Sequence, residues 1–268
     1  MIAGISTGKA ALLGAPESAQ IGFLPAASSI AGDIQWLHNA ILLPVTVGIS
    51  LLVLALCAYV VIRFNDRANP VASRTTHNGP LEIAWTILPA LVLVVIAVPS
   101  FRLLTQQLVI PEPDMTLKVT GSQWHWNYGY PKSQGGFSYD SLIKEDKDLK
   151  PGDIRLLSVD NAAYVPVGKV VELDIVAQDV IHAFSIPSFG VKIDAIPGRL
   201  NKTWFKADVE GVFYGQCSNI CGIDHAYMPI EFHVVSQEAY DAWLTQAKKT
   251  FASADGATLA AAAPAARP

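Results

Sequence analysis

The sequence predicts an α+β membrane protein: a two-helix transmembrane hairpin, then a β-sandwich or small barrel, then a C-terminal helix. Three observations predict it. Of 268 residues, 51% are hydrophobic and only 16% charged, whereas ordinary globular chains carry about 25% charged residues. The apolar excess is gathered into two runs without a charge. Behind them the pattern changes to short alternating segments divided by turns. The same composition excludes a wholly disordered chain, which needs low hydrophobicity and high charge. A pI of about 5.8 excludes the basic face that a nucleic-acid partner requires.

Residues 1–34 read as an external N-terminal arm or a signal remnant. Lys9 followed by residues 10–13 hints at a signal peptide, but the apolar stretch is far shorter than a normal signal core. Residues 35–105 read as the hairpin. Residues 41–62 form an uncharged run of 22, and residues 83–101 one of 19. A bilayer core of ~30 Å needs about 20 apolar residues in a helix. Pro44 lies near one end of the first run, and Pro89 and Pro99 lie inside the second. Prolines are tolerated in membrane helices where neighbouring groups re-satisfy the freed carbonyls. The connection carries Arg63, Arg67 and Arg74 against Asp66 and Glu82. Arginine excess in a short loop marks the cytoplasmic side, so both chain ends face the other side. In a bacterium that is the periplasm, beyond the inner membrane; in a mitochondrion it is the intermembrane space.

Residues 106–235 read as β structure. Residues 115–120, 169–176 and 230–235 alternate, and Pro151-Gly152-Asp153, Val167-Gly168 and Pro197-Gly198-Arg199 supply turns. Residues 236–268 read as a helix and a loose tail. Ala239, Tyr240, Trp243 and Ala247 share one helical face, with Ser236 as N-cap. From Thr105 onward there are 19 acidic and 14 basic residues, a net of −5 within a whole-chain charge of −4. Such a surface suits a cationic partner through its encounter rate, or is simply a solvated acidic face.

The chemistry is concentrated in residues 214–229. Cys217, Cys221, His225 and Met228 stand in the spacing Cys-x3-Cys-x3-His-x2-Met, between two β segments. A second histidine, His182, follows Asp179-Val180-Ile181. A Cys217–Cys221 disulfide suits an oxidising compartment, but so short a loop adds little stability, and it leaves His225 and Met228 unexplained. Zinc has no use for a thioether. Thiolate, imidazole and thioether together suit copper. Two bridging thiolates can hold two copper ions, each completed by one histidine and one weak axial donor: Met228 for one, a backbone carbonyl for the other. Cys57 lies within the first membrane run and reads as a small apolar residue.

Further motifs extend the pattern. Thr76-His77-Asn78 precedes Glu82 and Trp85-Thr86-Ile87-Leu88-Pro89; Gly121-Ser122-Gln123-Trp124-His125-Trp126, Asp179-Val180-Ile181-His182 and residues 192–199 follow in order. With the cysteine loop, these make the chain after residue 35 resemble subunit II of cytochrome c oxidase, in the haem–copper oxidase superfamily. The resemblance implies a cupredoxin-like, Greek-key β-sandwich carrying a dinuclear copper centre (CuA). It implies His182, Cys217, Cys221, His225, Met228 and the backbone carbonyl of Asn219 as ligands. It implies Trp124 as the point where electrons enter from cytochrome c, and Glu82 as a proton-uptake group. It also implies Asp140, Asp160 and Asp179 as docking residues, and Asp194 and Arg199 at the boundary with subunit I. The family has Glu at position 219, where its side chain helps bind magnesium at that boundary. Asn219 keeps the carbonyl for copper but removes a carboxylate from the hard cation. A quinol oxidase subunit II would lack Cys217 and Cys221. A membrane-tethered copper carrier would leave Glu82 and Trp124 without a task.

Overall fold

The computed structural model describes residues 14–251. The stretch after Lys9 and the Ala- and Pro-rich tail lie outside the described residues. The chain divides into two compact units, one of residues 33–106 and one that joins residues preceding 33 to those following 106.

The first unit is helical. One run, Ser29–Arg63, comprises α1 (Ser29–Trp36), a π-helical turn (Leu37–Leu42) and α2 (Leu43–Arg63). The π turn has a local cause. The Leu43 N–H donates five residues back, to the His38 carbonyl, directly before Pro44, which has no N–H to give. The second helix, α3 (Gly79–Leu108), continues through Pro89 and Pro99. It starts on a reciprocal cap: the Leu81 N–H donates to Asn78 Oδ1, and the Asn78 N–H donates to Glu82 Oε1. The most apolar windows of the two runs have mean hydropathies of 2.7 and 2.5, and neither window has a buried residue. A soluble core helix would be buried, so this continuous apolar surface calls for lipid.

Among the described residues, the second unit holds ten strands in two five-stranded sheets. The first sheet contains β1 (Met115–Ser122), β2 (His125–Tyr130), β3 (Phe137–Ser141), β5 (Val170–Ala177) and β8 (Asn201–Lys206), in the order β3-β2-β1-β5-β8. The second contains β4 (Ala163–Pro166), β6 (His182–Ile186), β7 (Val191–Ala195), β9 (Gly211–Cys217) and β10 (Pro229–Val235), in the order β4-β10-β9-β6-β7. β1 runs parallel to β5, and β4 to β10. Parallel neighbours cannot be joined by a tight hairpin, so the chain crosses repeatedly between sheets. Strict alternation in β1 and β5 turns Leu117, Val119, Val171, Leu173 and Ile175 inward. There they meet a buried aromatic layer, including Phe189 stacked on Phe205 at 4.4 Å.

The final helix, α4 (Gln237–Phe251), is capped by Ser236, whose Oγ accepts the Ala239 N–H. Its packed face is Tyr240, Trp243, Leu244, Ala247 and Phe251. Ala239, assigned to that face from the spacing, is exposed, because the contact centres on Trp243 against Tyr164 and Phe251 against Tyr139. The N-terminal segment belongs to this unit. Ala27 bonds in both directions, its N–H to the Ser188 carbonyl and its carbonyl to the Asp208 N–H, and Ser28 Oγ donates to the Phe189 carbonyl.

Candidate metal centre

Strand register builds the site. β6 begins at His182, β9 ends at Cys217, and their pairing sets Phe184 opposite Cys217. The chain then turns through residues 218–228, with a 3-10 turn at His225–Tyr227, and returns as β10, whose Pro229 faces Gln216. The two strands approach so closely that a Cβ on Gly215 would lie 2.0 Å from the Ser185 carbonyl oxygen. Only glycine admits this spacing beside Cys217.

Two sulfurs form the centre. Cys217 Sγ and Cys221 Sγ lie 3.8 Å apart and are free thiols. Around Cys217 stand His182 Nδ1 at 4.0 Å and the Asn219 carbonyl oxygen at 3.3 Å. Around Cys221 stand His225 Nδ1 at 3.5 Å and Met228 Sδ at 3.6 Å. Each sulfur thus has one imidazole nitrogen and one weak neutral donor. His182, Cys217, Cys221 and Met228 are buried, while His225 is partly open. This soft, dry donor set fits copper. Its electrostatics fit a bridging cation as well. Burial pushes both thiols up; at Cys217 the hydrogen bonds, led by that with His182, outweigh it and bring the pKa below the ordinary thiol value. At Cys221 burial and then the charge of Cys217 push the pKa up. Two thiolates this close do not both ionise cheaply without a metal between them.

A second layer holds these donors. Asp179 Oδ1 meets His182 Nε2 at 2.9 Å, which directs Nδ1 toward Cys217. The other Asp179 oxygen accepts the Gln123 N–H at 2.7 Å. Gln123 Nε2 and Trp124 Nε1 both donate to the Cys221 carbonyl, at 2.8 and 3.3 Å. Trp126 is fully buried; its Nε1 donates to the Met228 carbonyl at 3.2 Å, and its ring stands edge-on to His182.

Asp140 accepts from Asn127 Nδ2 and faces His125 Nε2 at 3.5 Å. Asp160 accepts the N–H groups of Leu142 and Asn161, so its carboxylate secures a loop. Asp179 is exposed, and both its carboxylate oxygens accept hydrogen bonds from the protein. Asp194 and Arg199 are exposed, on β7 and on the turn after it, with Asp194 opposite Ala183. Glu82 belongs to the helical unit, where it caps α3. Sequence reasoning passed over Gln123 and Trp126 as supports, and read Asp179 only as surface charge. The Asp-x-x-His spacing was the available signal for Asp179.

Comparison with known proteins places this geometry in a family. Residues 16–103 match the transmembrane domain of cytochrome c oxidase subunit II, and residues 115–235 match its periplasmic domain. The chain is 46% identical over 242 residues to a probable cytochrome c oxidase subunit 2 of Rickettsia bellii (strain RML369-C), covering 90% of this chain and 89% of that one. It is 46% identical over 253 residues to a cytochrome c oxidase subunit 2 of Cereibacter sphaeroides, covering 88% and 83%. The crystal structure of the periplasmic domain of subunit II of cytochrome oxidase of Bradyrhizobium japonicum covers 53% of this chain and 99% of its own. There the identity is 54% and the TM-score 0.50. Two apolar helices, a two-sheet β unit and a His–Cys–Cys–Met cluster, in that order, thus belong to a member of the cytochrome c oxidase subunit II family.

Proposed function

We propose that the chain accepts electrons from cytochrome c at a dinuclear copper centre and passes them toward haem in subunit I of a terminal oxidase, where oxygen is reduced and protons are pumped. One observation carries this reading: two thiols 3.8 Å apart, each with its own imidazole nitrogen and its own weak donor. Cys217, Cys221, His182, His225, Met228 and the Asn219 carbonyl would together hold two copper ions. Copper would supply a one-electron carrier whose charge change is shared between two ions.

The chain's own groups do the rest. Bridging sulfurs buried among aromatic residues exclude water and resist rearrangement. Trp124, half-buried and bonded to the Cys221 carbonyl, joins the surface to a bridging sulfur by one hydrogen bond and a few covalent bonds. Asp140, Asp160 and Asp179 lend negative charge for a cationic donor. Asp194 and Arg199 face subunit I, and Glu82 serves proton uptake on the cytoplasmic side. At the same boundary Asn219 offers magnesium an amide in place of a carboxylate. The reading places the protein in a bacterial inner membrane with the copper unit in the periplasm, and relatives from bacteria support it. Metal analysis of the purified full-length protein tests it. Two coppers per chain with a mixed-valence hyperfine pattern in electron paramagnetic resonance are expected, and haem is expected to co-purify. One copper per chain, or zinc, would refute the dinuclear centre.

A further inference from the structure

We infer that Gly222 and Gln123 set the contact between the Trp124 indole and the copper loop, Gly222 by leaving space and Gln123 by sharing the carbonyl. The inference rests on the electron-transfer reading above and names positioning residues for it. The Cys221 carbonyl receives two donors from one short segment, Gln123 Nε2 at 2.8 Å and Trp124 Nε1 at 3.3 Å. The next residue, Gly222, has φ +130°, a conformation that L side chains rarely adopt. A Cβ there would lie 2.7 Å from Trp124 Cζ2, 3.1 Å from Trp124 Nε1 and 3.0 Å from Gln123 Nε2. The Gln123 amide ends a flexible side chain and can swing aside. The indole is rigid and packed against the core, so it would have to tilt off the carbonyl. Gln123 is held from its other side too, because its N–H donates to Asp179, which also meets His182. The segment carrying Trp124 is therefore tied to the Cys221 side through a carbonyl and to the Cys217 side through a carboxylate. Gly222 adds no atom to this arrangement; it keeps the one contact from being pushed open.

The test uses the assembled oxidase carrying Gly222→Ala or Gln123→Leu. Copper content and the electron paramagnetic resonance spectrum are expected to match the wild type. Reduction of the centre by ferrocytochrome c in stopped flow is expected to slow severalfold in Gly222→Ala, because the indole is pushed off the Cys221 carbonyl. In Gln123→Leu a severalfold loss is expected. A readout free of copper accompanies it: in the metal-free full-length chain, amide hydrogen exchange across residues 221–225 should quicken in Gln123→Leu. Wild-type reduction rates in both variants overturn the inference. Loss of copper in Gly222→Ala would assign that glycine to the ligand loop and remove it from the proposal. Gln123→Leu then decides the remainder: slower reduction with an intact spectrum supports it, and an unchanged rate overturns it. Failure of the functional reading looks different, because the wild type itself would lack the dinuclear signal.

Discussion

Asp179→Asn separates ligand orientation from surface charge. One Asp179 oxygen lies 2.9 Å from His182 Nε2 and 2.6 Å from the Val180 nitrogen; the other lies 2.7 Å from the Gln123 nitrogen. Burial works to raise its pKa, but hydrogen bonds from His182, Gln123 and Val180 outweigh it and hold the carboxyl below its ordinary value. Asparagine keeps the shape and one acceptor oxygen. Its amide nitrogen then faces either the His182 N–H or the Gln123 N–H, donor against donor. Removing the partner of a ligating histidine typically costs 10- to 100-fold in metal affinity, or about 1.4–2.7 kcal/mol. With the side chain 33% exposed, water can replace part of the lost bond, so the lower half of that range is expected. Asp140→Asn is the matched control, since it removes the same charge but touches Asn127 and His125. Copper affinity is measured by chelator competition on the metal-free full-length chain. A fall in Asp179→Asn with no change in Asp140→Asn is expected. Equal copper affinities, with both variants shifting only KM for cytochrome c, would refute the orienting role and leave Asp179 as docking charge.

Other outcomes follow from the same geometry. Trp126→Phe leaves the buried Met228 carbonyl without its donor and shrinks a fully buried ring, together about 3 kcal/mol. Differential scanning calorimetry should show the β unit melting roughly 6–12 °C lower, and a change under 2 °C would contradict the Trp126–Met228 bond. Gly215→Ala forces a Cβ onto the Ser185 carbonyl, costing about 3 kcal/mol or more; retained copper binding with wild-type stability would overturn the close approach. Asp153 is held below its ordinary pKa by the Lys150 N–H and then by Lys144. Its contribution, on the order of 1 kcal/mol, is therefore fully present above the unfolded-state value and lost as pH falls through the lower folded value. Urea titrations of wild type and Asp153→Asn should differ at neutral pH and converge in acid; a constant difference would refute the pairing.

Some features are local enough to read from the chain. Two uncharged runs need no partner to declare themselves, because bilayer thickness converts directly into residue number. Cys217, Cys221, His225 and Met228 fall within twelve residues, so one hairpin loop gathers them. The helix boundaries are harder to read. The first helix begins at Ser29 and the second runs to Leu108, past the uncharged stretches, since a helix continues while its hydrogen bonds do, with or without lipid. The tie between the N-terminal segment and Ser188, Phe189 and Asp208 has no local signature at all.

What the sequence by itself determined is therefore the class of the protein and the chemistry of its centre: membrane helices, a β unit, and a soft donor set that suits copper. Tertiary structure alone decided how those donors divide between the two sulfurs and what holds them. His182 reaches Cys217 across 35 residues, and Gln123 reaches the Cys221 carbonyl across 98. Such separations are closed by strand register and by crossings between sheets, which residue spacing does not encode. The role of Asp179 turned on the same point. Its charge is visible in the sequence, but its bond to the His182 imidazole depends on where β6 begins.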